Sequence, residues 1–323
     1  MNVLSLCDGM SCGQIALDRL GIEVDNYYAS EINKYSIKVT QRNYPDTVQI
    51  GDMWGINEEK LDKLGKIDLV MAGIPCRDLS KITRNGGSEN WEEMHEKGKG
   101  IEGEHSKLFF KFVEILSYIK NKNEKVYFLF ENVESMGEND KRIITKSLGV
   151  EPIMINSGLV SAQERKRYYW TNIDAKNNPK KQDLVLEDIM MGADEVKELE
   201  NNSRMNFWYD NDFEFHGLSK RVCATLKFSF SAHDIVKRVY NPKFKSPALT
   251  ACRGGNLQKK VYQDGKCRKL TPLEYERLQT VPEGYTNVKV VSNTRRYNML
   301  GDGWTVDVIV HLLKGMKDQF ASN

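Results

Sequence analysis

Cys76 and Glu131 are the residues of this chain whose types and positions best suit covalent chemistry. Cys76 follows the apolar run Ile67-Asp68-Leu69-Val70-Met71-Ala72-Gly73-Ile74-Pro75, and Glu131-Asn132-Val133 follows Val126-Tyr127-Phe128-Leu129-Phe130. Short apolar runs that stop abruptly in polar residues read as buried parallel strands. Joined by one crossover helix, two such strands lie side by side, ~5 Å apart, and bring a thiol and a carboxylic acid to the same carboxyl edge of a sheet. A nucleophile beside an acid at that edge suits covalent catalysis on a substrate that must also be protonated or hydrogen-bonded. Taken singly, a cysteine after proline is more often packing and an acid before asparagine more often a helix cap. The pairing of the two carries the argument.

The elements that must position these residues alternate along the first half of the chain. Val3 to Leu6 reads as a strand, Gln14 to Leu20 as a helix, Asn26 to Ser30 as a strand, Ile32 to Arg42 as a helix and Thr47 to Ile50 as a third strand. After the fourth strand, which runs to Cys76, the polar stretch from about Asp78 to Glu104 is too long for ordinary packing and reads as a mobile lid. The helix from Lys107 to Ile119 then leads into the strand that ends at Glu131. In the turn Cys7-Asp8-Gly9-Met10-Ser11-Cys12-Gly13, Gly9 and Gly13 would let backbone amides approach a ligand at a helix N-terminus. Glu31, at the end of the next strand, sits where an acid can bond ribose hydroxyls, and Asp52 repeats the strand-end acid on the third strand, as a nucleoside-binding cleft would require. The glycines lack the GxGxxG spacing, which argues against a nicotinamide or flavin enzyme.

With 323 residues, 40% hydrophobic and 28% charged, the chain suits one large or two unequal soluble domains. No apolar run approaches the ~18 residues of a membrane span, and a cytoplasmic protein is expected. Six cysteines without paired C-x-x-C spacing indicate neither a zinc site nor a disulfide framework, and no metal is expected. The net charge of +2 conceals a basic segment, residues 215–272, with thirteen Lys and Arg against two acids. Charge clusters are usually solvated faces, but this one is interleaved with Phe228, Phe230, Tyr240, Phe244 and Tyr262, as a nucleic-acid surface would be.

These residues together resemble the DNA (cytosine-5) methyltransferases over nearly the whole length, in that family's motif order. Leu6 to Gly13 looks like the cofactor turn, Glu31 and Asp52 like the ribose and adenine acids, Pro75-Cys76 like the nucleophile motif and Glu131-Asn132-Val133 like the acid motif. Gln163-Glu164-Arg165-Lys166-Arg167 is similar to the Gln-x-Arg-x-Arg motif, Arg268 to Gln279 to an Arg-x-Leu-Thr-Pro element, and Gly301-Asp302-Gly303-Trp304-Thr305-Val306 to the closing motif. Among branches, the phrases around Cys76, Leu108, Glu131 and Gly303 look most like the de novo methyltransferases of animals, and the compact size is similar to bacterial or phage enzymes. The chain departs from the pattern at Cys7, where an aromatic is usual, at Arg77, at Asp302, and in an insertion from about Thr83 to Lys97.

The resemblance implies that Cys76 adds to carbon 6 of a flipped cytosine, that Glu131 holds and protonates ring nitrogen 3, and that Arg165 with Arg167 binds the exocyclic oxygen and nearby phosphate or holds the loop in place. It implies S-adenosylmethionine as methyl donor, held by Cys7, Asp8, Gly9, Met10, Ser11, Gly13, Glu31, Ile32, Asp52, Met53, Gly73, Pro75, Gly303 and Trp304. Double-stranded DNA would be the partner, met by Ser80, Arg253, Gly254, Gly255, Asn256, Lys259 and Lys260, with Ser246-Pro247-Ala248-Leu249-Thr250 as a DNA-facing strand. The implied fold is α/β: a doubly wound, mostly parallel Rossmann-like methyltransferase sheet with a second, smaller target-recognition domain. Its expected bounds are 1–174 for the catalytic domain, 175–291 for target recognition, and 292–323 for a segment returning to the first. The setting would be a bacterial or phage-infected cell, in restriction-modification or a related role. An RNA cytosine-5 methyltransferase and a catalytically weakened DNA-binding relative stay open as alternatives.

Overall fold

Buried apolar strands alternate with amphipathic helices to build the larger sheet. The computed structural model describes residues 1–75, 101, 103, 107–175, 177–202, 205–209, 213–227, 234–252 and 256–320. Cys76, Arg77, Ser80, Phe228, Phe230, Arg253, Gly254, Gly255 and nearly all of the expected lid lie outside the described residues. The first strands are β1 (Asn2–Leu6), β2 (Asn26–Ser30), β3 (Val48–Gln49), β4 (Leu69–Gly73), β5 (Tyr127–Val133), β6 (Ile153–Asn156), β7 (Gln163–Glu164) and β8 (Lys166–Thr171). Between them come α1 (Cys12–Leu20), α2 (Lys34–Asn43), α3 (Glu58–Leu64), α4 (Leu108–Lys122) and α5 (Glu138–Leu148).

Seven of these strands form one sheet in the order β3-β2-β1-β4-β5-β8-β6. Neighbours from β3 to β5 run parallel, and β8 pairs antiparallel with β5. The strand order reverses between β1 and β4, and in such sheets ligands bind outside the carboxyl ends at that reversal. The turn after β1 and the Gly73–Pro75 segment after β4 are the two stretches that emerge there. All seven residues of β5 are buried. Phe130 stacks on Phe112 with ring centroids 5.1 Å apart, meets Phe109 edge-on at 5.3 Å and lies tilted against Trp170 at 5.7 Å. That aromatic packing fixes the strand immediately before Glu131.

The chain divides into two compact units: Met1–Ile155 with Lys166–Asn178 and Ile309–Asn323, and Asn156–Arg165 with Pro179–Val308. The sequence reading placed its divisions at 174/175 and 291/292, whereas the return to the first unit comes at Ile309, within a helix. The second unit adds α6 (Ala193–Asn202), β9 (Trp208–Tyr209), β10 (Phe213–Phe215), β11 (Val222–Leu226), α7 (Asp234–Lys237), β12 (Arg238–Tyr240), β13 (Ser246–Pro247), β14 (Lys260–Gln263), β15 (Lys266–Lys269), α8 (Pro272–Leu278) and α9 (Asn293–Asp302). The last helix, α10 (Val306–Phe320), carries the return.

A six-stranded sheet, β10-β11-β12-β14-β15-β9, covers a small core of Cys223, Ala224, Leu226, Val239 and Cys267. The expected DNA-facing strand is shorter than its sequence suggests: only Ser246–Pro247 is extended, and it pairs with Gln163–Glu164. The Arg-x-Leu-Thr-Pro element starts a helix. Thr271 caps α8 with Pro272 in its first turn, and Glu274 closes the capping box. Arg268 grips both oxygens of Glu274, at 2.8 and 2.6 Å, with both side chains fully buried.

Local boundaries also differ from the sequence reading. α1 begins at Cys12 rather than Gln14, because Ser11 takes a left-handed conformation, φ 61°, and starts the helix at once. α2 begins at Lys34 rather than Ile32, because the Asn33 side chain accepts from the Tyr35 amide and caps it there. β4 stops at Gly73 rather than Cys76.

Candidate functional site

In the first unit, the turn after β1 is built around Glu31. One carboxylate oxygen accepts from the Gly9 amide at 2.7 Å, and the other accepts from the Ile32 and Asn33 amides at 2.8 and 2.7 Å. Glu31 therefore holds the end of β2 against the Gly9 turn. Gly9 has φ 61° and open space where a side chain would start, so its backbone is accessible to a ligand. Gly13 differs: a Cβ there would lie 2.4 Å from the Met71 side chain and 3.3 Å from the Tyr27 hydroxyl. Its lack of a side chain lets α1 pack on β4 and does not open a ligand approach. Met10, Ser11 and Met53, expected at the cofactor, are corrected: at 1%, 0% and 2% exposure the whole residues, backbone included, are packed inside the protein and offer a ligand no surface.

Carboxylates crowd this turn. Asp8 accepts from the Tyr27 hydroxyl at 2.8 Å and from the Ser11 hydroxyl, and burial, reinforced by Glu31, pushes its carboxyl up to about 6 against those bonds. Cys7, with φ 53°, is pushed up to about 12 by burial and by Glu31, Asp52 and Asp8. A thiol so placed stays protonated and is not a nucleophile. Asp52 caps the short turn Met53–Gly55 through the Trp54 amide at 3.0 Å. Ser30 donates to the Gly51 carbonyl at 2.7 Å, which brings the Gly51–Asp52 turn beside the end of β2. Ile32, 75% exposed, and Trp54, 53% exposed, flank these two acids as open apolar surface. Sequence reasoning passed over Trp54, although its position two residues after Asp52 was the available signal.

Glu131 sits opposite Gly73 in the β4/β5 register, so the acid stands one strand from the chain that leads through the exposed Pro75 to Cys76. The Arg167 Nε lies 2.9 Å from a Glu131 oxygen, with the two side chains only 15% and 9% exposed. Arg167 reaches it from β8, whose register sets Arg167 against Val133 and Tyr169 against Glu131.

Arg165 belongs to the second unit and has a different environment. It is 5% exposed and donates to the carbonyls of Leu249 at 3.0 Å, Gly301 at 3.3 Å and Gly303 at 3.2 Å. The expectation that Arg165 reaches a base is corrected, because its guanidinium donates to three carbonyls inside the second unit. Gln163 joins it, donating to the Leu278 carbonyl and to Gln279 Oε1, both at 3.1 Å, and accepting from the Leu249 amide at 2.7 Å. Gln279 in turn donates to the carbonyls of Leu300 at 2.6 Å and Gly303 at 3.1 Å and accepts from the Thr305 hydroxyl at 2.8 Å. This network binds three of the sequence motifs together and sets the backbone of Gly303, beside Trp304.

Among the residues expected to meet DNA, Lys260 is corrected. It is 1% exposed and donates to the carbonyls of Asn256 at 2.5 Å and Gln258 at 2.8 Å, so it cannot reach a phosphate. Burial, with Lys269 and Lys259 adding repulsion, pushes its ammonium down to about 7. Lys259 is half-buried and burial lowers it as well. Asn256 has φ 52° and accepts from the Tyr209 hydroxyl at 3.3 Å, a partner 47 residues away with no local signal in sequence. Among the described residues, no group of three or more His, Cys, Asp or Glu could hold a metal, and no helix is long and apolar enough to cross a membrane.

Comparison with known proteins bears on what this geometry serves. The family model for C-5 cytosine-specific DNA methylase matches residues 1–318. The DNA (cytosine-5)-methyltransferase DRM2 of Oryza sativa subsp. japonica is 33% identical over 129 residues, 37% of this chain and 20% of that protein, so the match spans about a fifth of the relative's length. The type II methyltransferase M.HhaI of Haemophilus parahaemolyticus is 23% identical over 97% of this chain and 93% of its own. The structure of the Entamoeba histolytica methyltransferase EhMeth shares the fold, with a TM-score of 0.70 at 14% identity, covering 99% of this chain and 98% of that one.

Proposed function

The chain belongs to the C-5 cytosine-specific DNA methylase family, and from that premise we propose that it methylates carbon 5 of cytosine in double-stranded DNA through a covalent Cys76 adduct. The observation that carries this reading is Glu131, paired with Arg167 at 2.9 Å, opposite Gly73 on the strand that leads to Pro75 and Cys76. Carbon 5 of cytosine is a poor nucleophile. Addition of the Cys76 thiolate at carbon 6 makes it enamine-like, and the charge that this pushes into the ring is relieved at nitrogen 3. Glu131 holds that nitrogen and supplies its proton. Arg167 orients the Glu131 carboxylate and is the cation beside the exocyclic oxygen. Loss of the carbon 5 proton then lets Cys76 leave. The base must be flipped out of the duplex for any of this to occur.

The turn after β1 fits S-adenosylmethionine: an open Gly9 backbone, two strand-end acids in Glu31 and Asp52, and the exposed apolar surfaces of Ile32 and Trp54. When bound there, it supplies the methyl group. Gly9 would meet it through backbone, Glu31 through a ribose hydroxyl at its remaining lone pair, Asp52 at the adenine edge, and Ile32 through the adenine face. Gly73 and Pro75, in the same unit, would be further contacts.

A duplex carrying 5-fluorocytosine, incubated with the protein and S-adenosylmethionine, tests the reading, because fluorine blocks the final proton loss. A covalent complex mapping to Cys76 by peptide mass spectrometry is expected, and Cys76→Ser should form none. Trapping through another residue, or methylation of transfer RNA but not of duplex DNA, would overturn it.

A further inference from the structure

Lys260 is a buried cation that the proposed chemistry leaves without a task. It opens β14, where it faces Lys269 on β15 and the apolar Val239 on β12, and is 1% exposed. The titratable groups that bear on it are Lys269, Lys259 and Cys252, and among the described residues no carboxylate pairs with it. Burying an ammonium with no counter-charge is costly, and an apolar side chain of similar length would fill the same volume. What Lys260 does there is donate to two carbonyls that converge on it from one loop, Asn256 and Gln258, at 2.5 and 2.8 Å.

Nothing in Asn256 itself fixes that loop: its φ of 52° is a left-handed conformation that asparagine adopts readily, one well among several. Its amide oxygen is engaged by the Tyr209 hydroxyl at 3.3 Å, which orients the side chain. Gln258 is 7% exposed while Leu257, between the two clamped carbonyls, is 42% exposed. Removing the ammonium would take the donor from both carbonyls and leave the buried one, that of Gln258, without it, and the loop would relax away from this shape.

We propose that Lys260 is a positioning residue for target recognition: it holds the Asn256–Gln258 loop in the conformation that presents Asn256 to base edges, and it touches no DNA itself. This rests on the reading that the chain methylates cytosine in duplex DNA. Asparagine can pair with a base edge in two hydrogen bonds, but only if the backbone that carries it is fixed. Lys260 thereby sets base choice without adding to phosphate contact. Its burial also makes the clamp responsive to pH. With the ammonium near about 7, the charge-assisted bonds to the two carbonyls weaken as pH rises through that value.

The full-length protein, S-adenosylmethionine and a duplex pool randomised around a central cytosine provide the test, with bisulfite sequencing to read which flanks are methylated. The wild type should prefer certain flanks. Lys260→Met should reduce the ratio of preferred to disfavoured flanks about tenfold, a size ordinary for one lost base contact. The wild-type ratio should fall from about pH 6 to about pH 8, one unit either side of the titration, and Lys260→Arg, charged throughout, should not show that fall. Should the methionine variant not fold, the two pH profiles decide alone. A preference unchanged in Lys260→Met, a pH fall that persists in Lys260→Arg, or a wild type that methylates without preference would each overturn the proposal. No methylation of the pool by the wild type would instead sink the methyltransferase reading on which it rests.

Discussion

Arg165 and Arg167 stand two positions apart and do unlike things. Arg167 spends its guanidinium on Glu131 at a sheet edge, while Arg165 ties three backbone carbonyls inside the second unit. Arg167→Lys keeps a cation beside the nearly buried Glu131 but loses the guanidinium geometry, and should therefore cut turnover by about tenfold or more with little change in melting temperature. Arg165→Ala leaves buried carbonyls without donors and should destabilise the fold by ~1–3 kcal/mol. Turnover and thermal melts on both variants check this, and the reverse pattern would exchange the two roles. Cys7 gives a second outcome at this scale. With its thiol pushed up to about 12, roughly one molecule in ten thousand is thiolate at pH 8, so brief iodoacetamide treatment should leave Cys7 unmodified in peptide maps. Rapid labelling there would mean that the carboxylates around it are arranged otherwise.

Elements translate these side chains into position, and α9 shows how narrowly. A Cβ on Gly301 would fall 2.3 Å from the carbonyl carbon and oxygen of Thr250 and 2.5 Å from the Ala251 nitrogen. Those are backbone atoms of the segment that Arg165 and Gln163 hold at Leu249. Gly301→Ala must push helix and segment apart and should cost ~1–3 kcal/mol, the range for overpacking, measurable as a lower urea midpoint. A midpoint equal to the wild type would show that the segment yields freely. The strand-end acids and the α4 helix were legible in sequence because an apolar run that stops, or apolar positions at helical spacing, report local geometry directly. The separation of Arg165 from Arg167 was not. Two residues apart on one strand imply a shared face, but the ladder changes partner between them: β7 pairs with β13 and β8 with β5, and Arg165 lies in the break. The helix start at Cys12 escaped because a left-handed Ser11 is set by backbone geometry, whereas the start at Lys34 was there to be read, since asparagine is a preferred cap and Asn33 caps through its side chain.

At the scale of the whole molecule, the basic segment of residues 215–272 holds thirteen cations, of which several must be solvated or structural, and composition cannot say which because it counts charge and cannot see burial. Lys260 and Arg268 are interior, the first clamping a loop and the second paired with Glu274. Lys245 donates to the Ser161 and Leu184 carbonyls, and Arg221 pairs with Glu164 at 2.7 Å. Lys220, Lys227, Arg238, Lys243 and Lys266 remain exposed. Each phosphate neutralised by such a cation contributes about −0.9 to the slope of log affinity against log salt. Lys227 and Arg238 lie at the same end of the β11/β12 pair, where Thr225 sits opposite Arg238, so one stretch of backbone could engage both. Converting both to glutamine should flatten the slope by ~2 units on target and scrambled duplexes alike, since phosphate contacts carry no sequence information. Lys260→Met should leave the slope where it was, because a side chain that cannot reach phosphate releases no counterion. If instead the glutamine pair left the slope untouched and Lys260→Met flattened it, DNA would have to open the β14 end of the second unit on binding, and the buried lysine would be the contact after all.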